Sequence, residues 1–267
     1  MDKKVVIITG ASSGIGKALA EEFAKRGSSL VLAARRMDRL EQLQKDLSET
    51  ETLIVKADVS LEDDCKNVID QAIEKFGRID VLINNAGISM RALFNETDLE
   101  VIRKLMEVNF WGTVYCTKFA LPYLLKEKGS IIGVSSIAGI KGLPARSGYS
   151  ASKFAMNGFL ESLRIENLKK GLHVLVACPG FTASNIRNTA LAADGREQKE
   201  SPRDEQKMMT AETVADHIYH AVRARKNKLT LTAQGKMTVF LNKFFPDWLD
   251  KLVYKHLAKE ADTPLDV

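Results

Sequence analysis

The chain has 267 residues, 45% hydrophobic and 27% charged, an ordinary globular composition with length enough to bury a large core. Its net charge of +5 and pI near 9.0 raise the question of an anionic partner, but Lys and Arg alternate with acids along helical stretches such as Glu21–Arg26. Without a basic stripe interleaved with aromatics, nucleic acid is excluded as the expected partner. Cys65, Cys116 and Cys178 are odd in number and far apart in sequence, so neither a disulfide framework nor metal spacing is expected. No linker or repeat divides the chain, which reads as a single domain over 1–267. It enters its first strand without a signal-peptide core, and no apolar run reaches about 18 residues. A reducing cytoplasm is the expected location.

Short β-branched runs alternate with helical patterns. Val5–Thr9 reads as a strand, followed by a helix over Ile15–Arg26 ended by Gly27. A second strand over Ser29–Ala33 leads to a helix reaching about Leu47, and a third over Leu53–Lys56 to a helix from Leu61 to Phe76. Further strands are expected at Val81–Ile83, Ile131–Val134, Val174–Ala177 and Leu229–Leu231. These runs are continuously apolar, as strands of a parallel sheet covered on both faces must be. The fold class is therefore α/β: a Rossmann-type, doubly wound parallel sheet of about seven strands, with ligands expected outside the strands' carboxyl ends.

Thr9-Gly10-Ala11-Ser12-Ser13-Gly14-Ile15-Gly16 joins the first strand to the first helix. Glycines there let backbone N–H groups approach a pyrophosphate at a helix N-terminus. About 20 residues on, an NAD site places an acid against the ribose diol. Here Ala33-Ala34-Arg35-Arg36 puts two guanidiniums in that neighbourhood, which favours the 2′-phosphate of NADP(H), with Arg35 preferred over Arg36 as its ligand.

Tyr149 and Lys153 stand four apart at the start of a helical stretch through about Leu168 and so share a face. A free tyrosine titrates near pH 10, and a neighbouring ammonium lowers that value toward the working range of an acid/base. Ser136 follows the fifth strand, thirteen positions before Tyr149, where its hydroxyl could hold a substrate oxygen; Ser135 is the adjacent alternative.

In order and spacing, Thr9-Gly-x-x-x-Gly-x-Gly16, Asp58-Val59, Asn84-Asn85-Ala86-Gly87, Asn109, Ser136, Tyr149-x-x-x-Lys153 and Pro179-Gly180 resemble the short-chain dehydrogenase/reductase family over roughly positions 4 to 230. The resemblance implies that Tyr149 is the general acid/base and that Ser136 orients the carbonyl. It implies that Lys153 lowers the tyrosine pKa and binds the nicotinamide ribose, and that Asn109 holds a water in a relay to Lys153. Gly10, Ser12, Ser13, Gly14, Ile15 and Gly16 are then expected to carry the pyrophosphate. Asp58 and Val59 are expected at the adenine, Asn85-Ala86-Gly87 along the cleft, and Pro179-Gly180 at the nicotinamide. The family often has Thr where this chain has Ser184; Thr182 lies two earlier, and either hydroxyl could serve the carboxamide.

The expected activity is NADP(H)-dependent interconversion of a carbonyl and a secondary alcohol. A 3-oxoacyl-thioester reductase and a non-catalytic NADP-binding regulator are the alternatives. The resemblance implies a homodimer or homotetramer, and the Phe119, Tyr123, Leu124 face reads as core or subunit contact. The four histidines read as structural or exposed; His217 and His220 lack a third ligand, so no metal is expected. The substrate loop is expected from Phe181 to about Met209. The aromatic, Lys-studded segment over 232–267 reads as a helical extension of two short amphipathic helices, the second starting near Pro246. It could cover the substrate pocket, pack on a partner subunit, or touch a membrane surface, the last being least favoured. Similar tails in hydroxysteroid-type relatives imply a bulky hydrophobic substrate.

Overall fold

The computed structural model describes residues 4–183, 186–199, 208–260 and 263–265. Seven parallel strands form one sheet: β1 (Val5–Thr9), β2 (Ser29–Ala34), β3 (Thr52–Lys56), β4 (Val81–Asn84), β5 (Ser130–Val134), β6 (His173–Cys178) and β7 (Lys228–Thr230). Their spatial order is β3-β2-β1-β4-β5-β6-β7. The doubly wound sheet read from the sequence is thus the observed architecture, with β7 one residue earlier than expected.

Alternation along each strand divides the core. In β1, Val6 and Ile8 point to one face, where α1 (Gly14–Lys25), α2 (Met37–Asp46) and α7 (Ala211–Arg223) supply Leu19, Phe23, Leu40, Val214 and Ile218. Val5 and Ile7 point to the other, where α3 (Glu62–Phe76), α5 (Gly112–Lys126) and α6 (Ser147–Glu166) supply Val68, Ile69, Ala120, Met156 and Leu160. Both faces of the inner strands are dry, which is why β1, β2, β5 and β6 do not alternate polar with apolar. Strand order reverses between β1 and β4, and crossovers on opposite faces leave a cleft at the carboxyl ends.

The helix between β4 and β5 is not one regular rod. α4 (Leu99–Met106) passes through a single wide π-turn, Glu107–Trp111, before α5 begins. Such turns insert one residue and swing a side chain out of helical register; here the turn contains Asn109, which is completely buried.

The thiols are all free and buried, and the fold brings Cys65 on α3 beside Cys116 on α5, where that neighbour and burial push the Cys116 thiol well up while Cys65 donates to the Val59 carbonyl at 3.3 Å. They are distant only in sequence. Of the histidines, His173 bridges the Ser130 hydroxyl and the Lys226 carbonyl at 3.0 and 2.9 Å, a structural role, and His220 lies 3.3 Å from Asp216. Among the described residues no acid, His and Cys cluster could hold a metal. Among those residues, too, no helix is long and apolar enough to cross a membrane. The tail forms α8 (Ala233–Phe244) and α9 (Pro246–Leu257), with Pro246 opening the second helix as the sequence predicts.

Candidate active site

A cavity of about 560 Å³ opens where the carboxyl ends of the strands meet their following loops. Its floor is a stitched pair of loops. The Thr9 hydroxyl accepts from the backbone N–H groups of Asn85 and Ala86, both at 3.1 Å, and the Asn85 amide donates to the Thr9 and Gly10 carbonyls at 3.0 and 3.3 Å. Gly10, Ser12, Ser13, Gly14 and Ile15 line the cavity from one side, Asn85, Ala86 and Gly87 from the other. Gly16 does not line it. A Cβ there would stand 2.2 Å from the Gly10 carbonyl oxygen, so this glycine is required for α1 to approach the loop and aim its N-terminus at the cavity.

The two arginines occupy different positions. Arg36 donates to the Ser12 and Ser13 hydroxyls at 3.2 and 3.0 Å, clasping the glycine loop. Partial burial, then repulsion from Arg39, pushes its pKa down, with the carboxylate of Asp38 opposing. Arg35 is 62% exposed, its guanidinium 3.9 Å from the Asp58 carboxylate. Both line the cavity with Asp58 and Val59, and their charges, with the α1 N-terminus, make this end a cradle for phosphate.

At the other end α6 presents Tyr149 and Lys153 on one face, as their spacing requires. Burial pushes the Tyr149 phenol above its ordinary value; a hydrogen bond with Ser136 and the charges of Arg146 and Arg187 pull the other way. Ser136 also accepts from the Ala138 N–H at 3.1 Å. Ser135 lines the same cavity, but the hydroxyl on the phenol belongs to Ser136. Lys153 is 3% exposed and burial lowers its pKa to about 8. Its ammonium donates to the Val134 carbonyl at 2.9 Å and lies 6.0 Å from the Tyr149 ring centroid. The expected action of Lys153 on the phenol therefore stands beside a geometry in which its ammonium is 6.0 Å from the Tyr149 ring centroid. The ammonium is directed to a backbone oxygen and is itself disfavoured by burial, and the charges of Arg146 and Arg187 also favour the phenolate.

Asn109 lies behind the cavity wall. Its amide accepts from the Ile88 N–H at 2.8 Å and donates to the Ile88 carbonyl and the Ser152 hydroxyl, both at 2.9 Å. The Asn109 side chain thus clamps the turn after β4, just beyond Gly87. Pro179, Gly180 and Thr182 line the cavity, and the Thr182 hydroxyl donates to the Gly180 carbonyl at 3.2 Å. Ser184 lies outside the described residues, as does part of the expected substrate loop. The described part folds back on the turn after β4: the Arg91 N–H donates to the Leu191 carbonyl and the Leu191 N–H to that of Ser89, both at 2.9 Å.

Arg146, Arg187, Lys104 and Leu143 also line the cavity and were not singled out by sequence reasoning. Arg146 had one signal, its place one turn before Tyr149; the others stand at no diagnostic spacing. The tail reaches the same rim. Phe181 and His256 rings lie 6.5 Å apart, Lys141 pairs with Asp250, and Asn242 donates to the Ile140 carbonyl at 3.1 Å. These contacts seat the tail beside the cavity, whose described lining includes no residue of the tail.

Comparison with known proteins gives the same picture. The short chain dehydrogenase family model matches residues 4–195. A dehydrogenase/reductase SDR family protein 7-like from Dictyostelium discoideum is 38% identical over 97% of this chain and 83% of its own. An 11-beta-hydroxysteroid dehydrogenase A from Sesamum indicum is 39% identical over 94% and 75%. Among solved structures, a Burkholderia phymatum short chain dehydrogenase/reductase in complex with NAD aligns over 100% of this chain and 99% of its own, with a TM-score of 0.82 at 26% identity. A Thermococcus sibiricus alcohol dehydrogenase complexed with 5-hydroxy-NADP aligns over 85% and 94%, with a TM-score of 0.73 at 25% identity. With the family model running from the first strand past Pro179-Gly180, and relatives matched along nearly the whole chain, this protein belongs to the short-chain dehydrogenase family of oxidoreductases.

Proposed function

We propose that this chain interconverts a carbonyl and a secondary alcohol with NADP(H), Tyr149 being the acid/base, and that residues 1–267 work as one unit with 232–267 as its helical extension. The observation that carries the reading is one cavity lined at one end by the glycine loop, Arg35 and Arg36, and at the other by Ser136, Tyr149 and Lys153. The nicotinamide cofactor, when bound, supplies or takes the hydride. Tyr149 gives a proton to the developing alkoxide, or removes one from the alcohol, and Ser136 holds the same oxygen. Asp58 and Val59 would flank the adenine, Gly87 and Pro179 to Thr182 the nicotinamide. Lys153 would bind the ribose, and Asn109 would hold the wall behind it. Similarity to relatives named as hydroxysteroid dehydrogenases supports a bulky hydrophobic substrate. A homo-oligomer in the cytoplasm completes the proposal, its contacts using the half-buried Phe119 and Tyr123 face of α5.

The test is NADPH oxidation by the full chain against ketosteroids, simple ketones, quinones and 3-oxoacyl thioesters. At least one ketone or quinone should turn over, and Tyr149→Phe should lose roughly 10²–10⁴-fold in rate while still quenching with NADPH. Tight NADPH binding with no turnover of any member of the panel would sink the proposal.

A further inference from the structure

Three residues past the end of α9, Glu260 is almost wholly enclosed: its side chain is 5% exposed and those of Arg91 and Arg146 are 11% exposed. Its carboxylate lies 3.2 Å from the Arg146 guanidinium, which donates to it, and 3.7 Å from Nε of Arg91. Enclosing three charges costs several kcal/mol per ion, and an ion pair taken out of water seldom repays more than that cost. The cluster is therefore a weak source of stability. What it does is join three segments far apart in sequence.

The arginines belong to two segments at the substrate end, and Arg146 itself lines the cavity. Arg91 lies in the turn after β4, where its backbone pairs with Leu191 and its carbonyl accepts from Gln198 at 2.6 Å. Arg146 lines the cavity at the start of α6, one turn before Tyr149, and its charge acts on the phenol. Contacts of α8 and α9 with Ile140, Lys141 and Phe181 hold the tail on the same rim. One carboxylate from the tail thus joins the turn after β4 to the start of α6.

Building on the carbonyl–alcohol reading, we propose that Glu260 is a positioning residue: by holding Arg91 and Arg146 together it fixes the substrate walls around Tyr149, and the C-terminal extension braces the site. Its described partners, Arg91 and Arg146, belong neither to the glycine loop nor to the Arg35–Arg36 pair, so its loss should act on substrate and spare cofactor.

Glu260→Gln keeps the shape and removes the charge, and Glu260→Asp keeps the charge. With 9,10-phenanthrenequinone as probe, Glu260→Gln should raise KM about tenfold or more, the loss of one to two charge-assisted contacts. kcat should move by less than KM, NADPH affinity by fluorescence should stay within about twofold, and Glu260→Asp should recover most of the loss. An unchanged KM, or an NADPH affinity that falls in step with KM, overturns the proposal. Hydrogen exchange needs no turnover and separates this outcome from failure of the carbonyl reading. In Glu260→Gln, segments 88–92 and 143–149 should exchange about tenfold faster while β1 and its loop are unchanged. A uniform rise across the chain overturns the proposal too. Arg91→Gln, which breaks the cluster from the other side, serves in both measurements if Glu260→Gln does not fold.

Discussion

Lys153 carries a conflict between stability and chemistry. Burial lowers its pKa from 10.5 to about 8, so between those values the unfolded chain holds more proton than the folded one. Stability then rises with pH across about 8 to 10.5, and below about 8 the penalty is present in full, an upper bound near 3 kcal/mol offset in part by the bond to Val134. Lys153→Met should melt higher than the parent at pH 7, with the gain fading toward pH 10.5, while turnover is lost. Thermal melts at the two pH values decide it, and a destabilised variant at pH 7 refutes it. The arginine pair gives a second test at this scale. Arg35 stands exposed beside Asp58, whereas Arg36 clasps the loop itself. Arg35→Asp should weaken NADPH by about tenfold or more and leave NADH within about twofold, a charge-assisted contact being worth roughly 1.5–3 kcal/mol. Arg36→Asp should weaken both cofactors, because the loop they share loses its clasp. Equal losses for Arg35→Asp would remove the basis for NADP preference.

The π-turn between α4 and α5 shows how an element departs from regularity to hold a site. Without its extra residue, Asn109 would not reach Ile88, and the strand-end turn carrying Gly87 would lose both backbone partners. Replacing Asn109 by Leu, similar in size but unable to hydrogen-bond, leaves the part-buried Ile88 N–H and carbonyl without their side-chain partner. That should cost about 2–4 kcal/mol in urea denaturation. A loss under about 0.5 kcal/mol would mean that the clamp contributes little. Helix periodicity predicts that this region is helical, but the register shift depends on the wall behind it, which the local pattern does not contain.

At the scale of the whole molecule, the tail has two unlike sides. Its inner side is tied to the rim by Leu249, Leu257, Asp250 and Glu260. Its outer side leaves Met237, Phe240, Phe244, Phe245, Trp248 and Leu252 exposed, a concentration of large apolar groups of the kind that marks an interaction surface. With the proposed homo-oligomer, Phe240→Glu with Trp248→Glu should lower the mass measured by light scattering while NADPH binding persists. An unchanged mass would assign the outer face no part in assembly, and loss of liposome binding instead would assign it to a lipid surface.

The sequence by itself determined the parallel sheet, the glycine loop, the arginine pair in place of an acid, the Tyr149–Lys153 face and the break at Pro246. Each is written in periodicity, or in residue types a few positions apart, and backbone sterics turn such local patterns into geometry without help from the rest of the chain. Tertiary structure alone decided that Asn109 clamps Ile88, that Cys65 meets Cys116, and that Glu260 joins Arg91 to Arg146. Those partners stand at no fixed spacing and meet only when helices close over the sheet. It also decided the sign of the Tyr149 shift. A titration depends on how much water is removed and which charges remain near, and both are properties of the packed molecule.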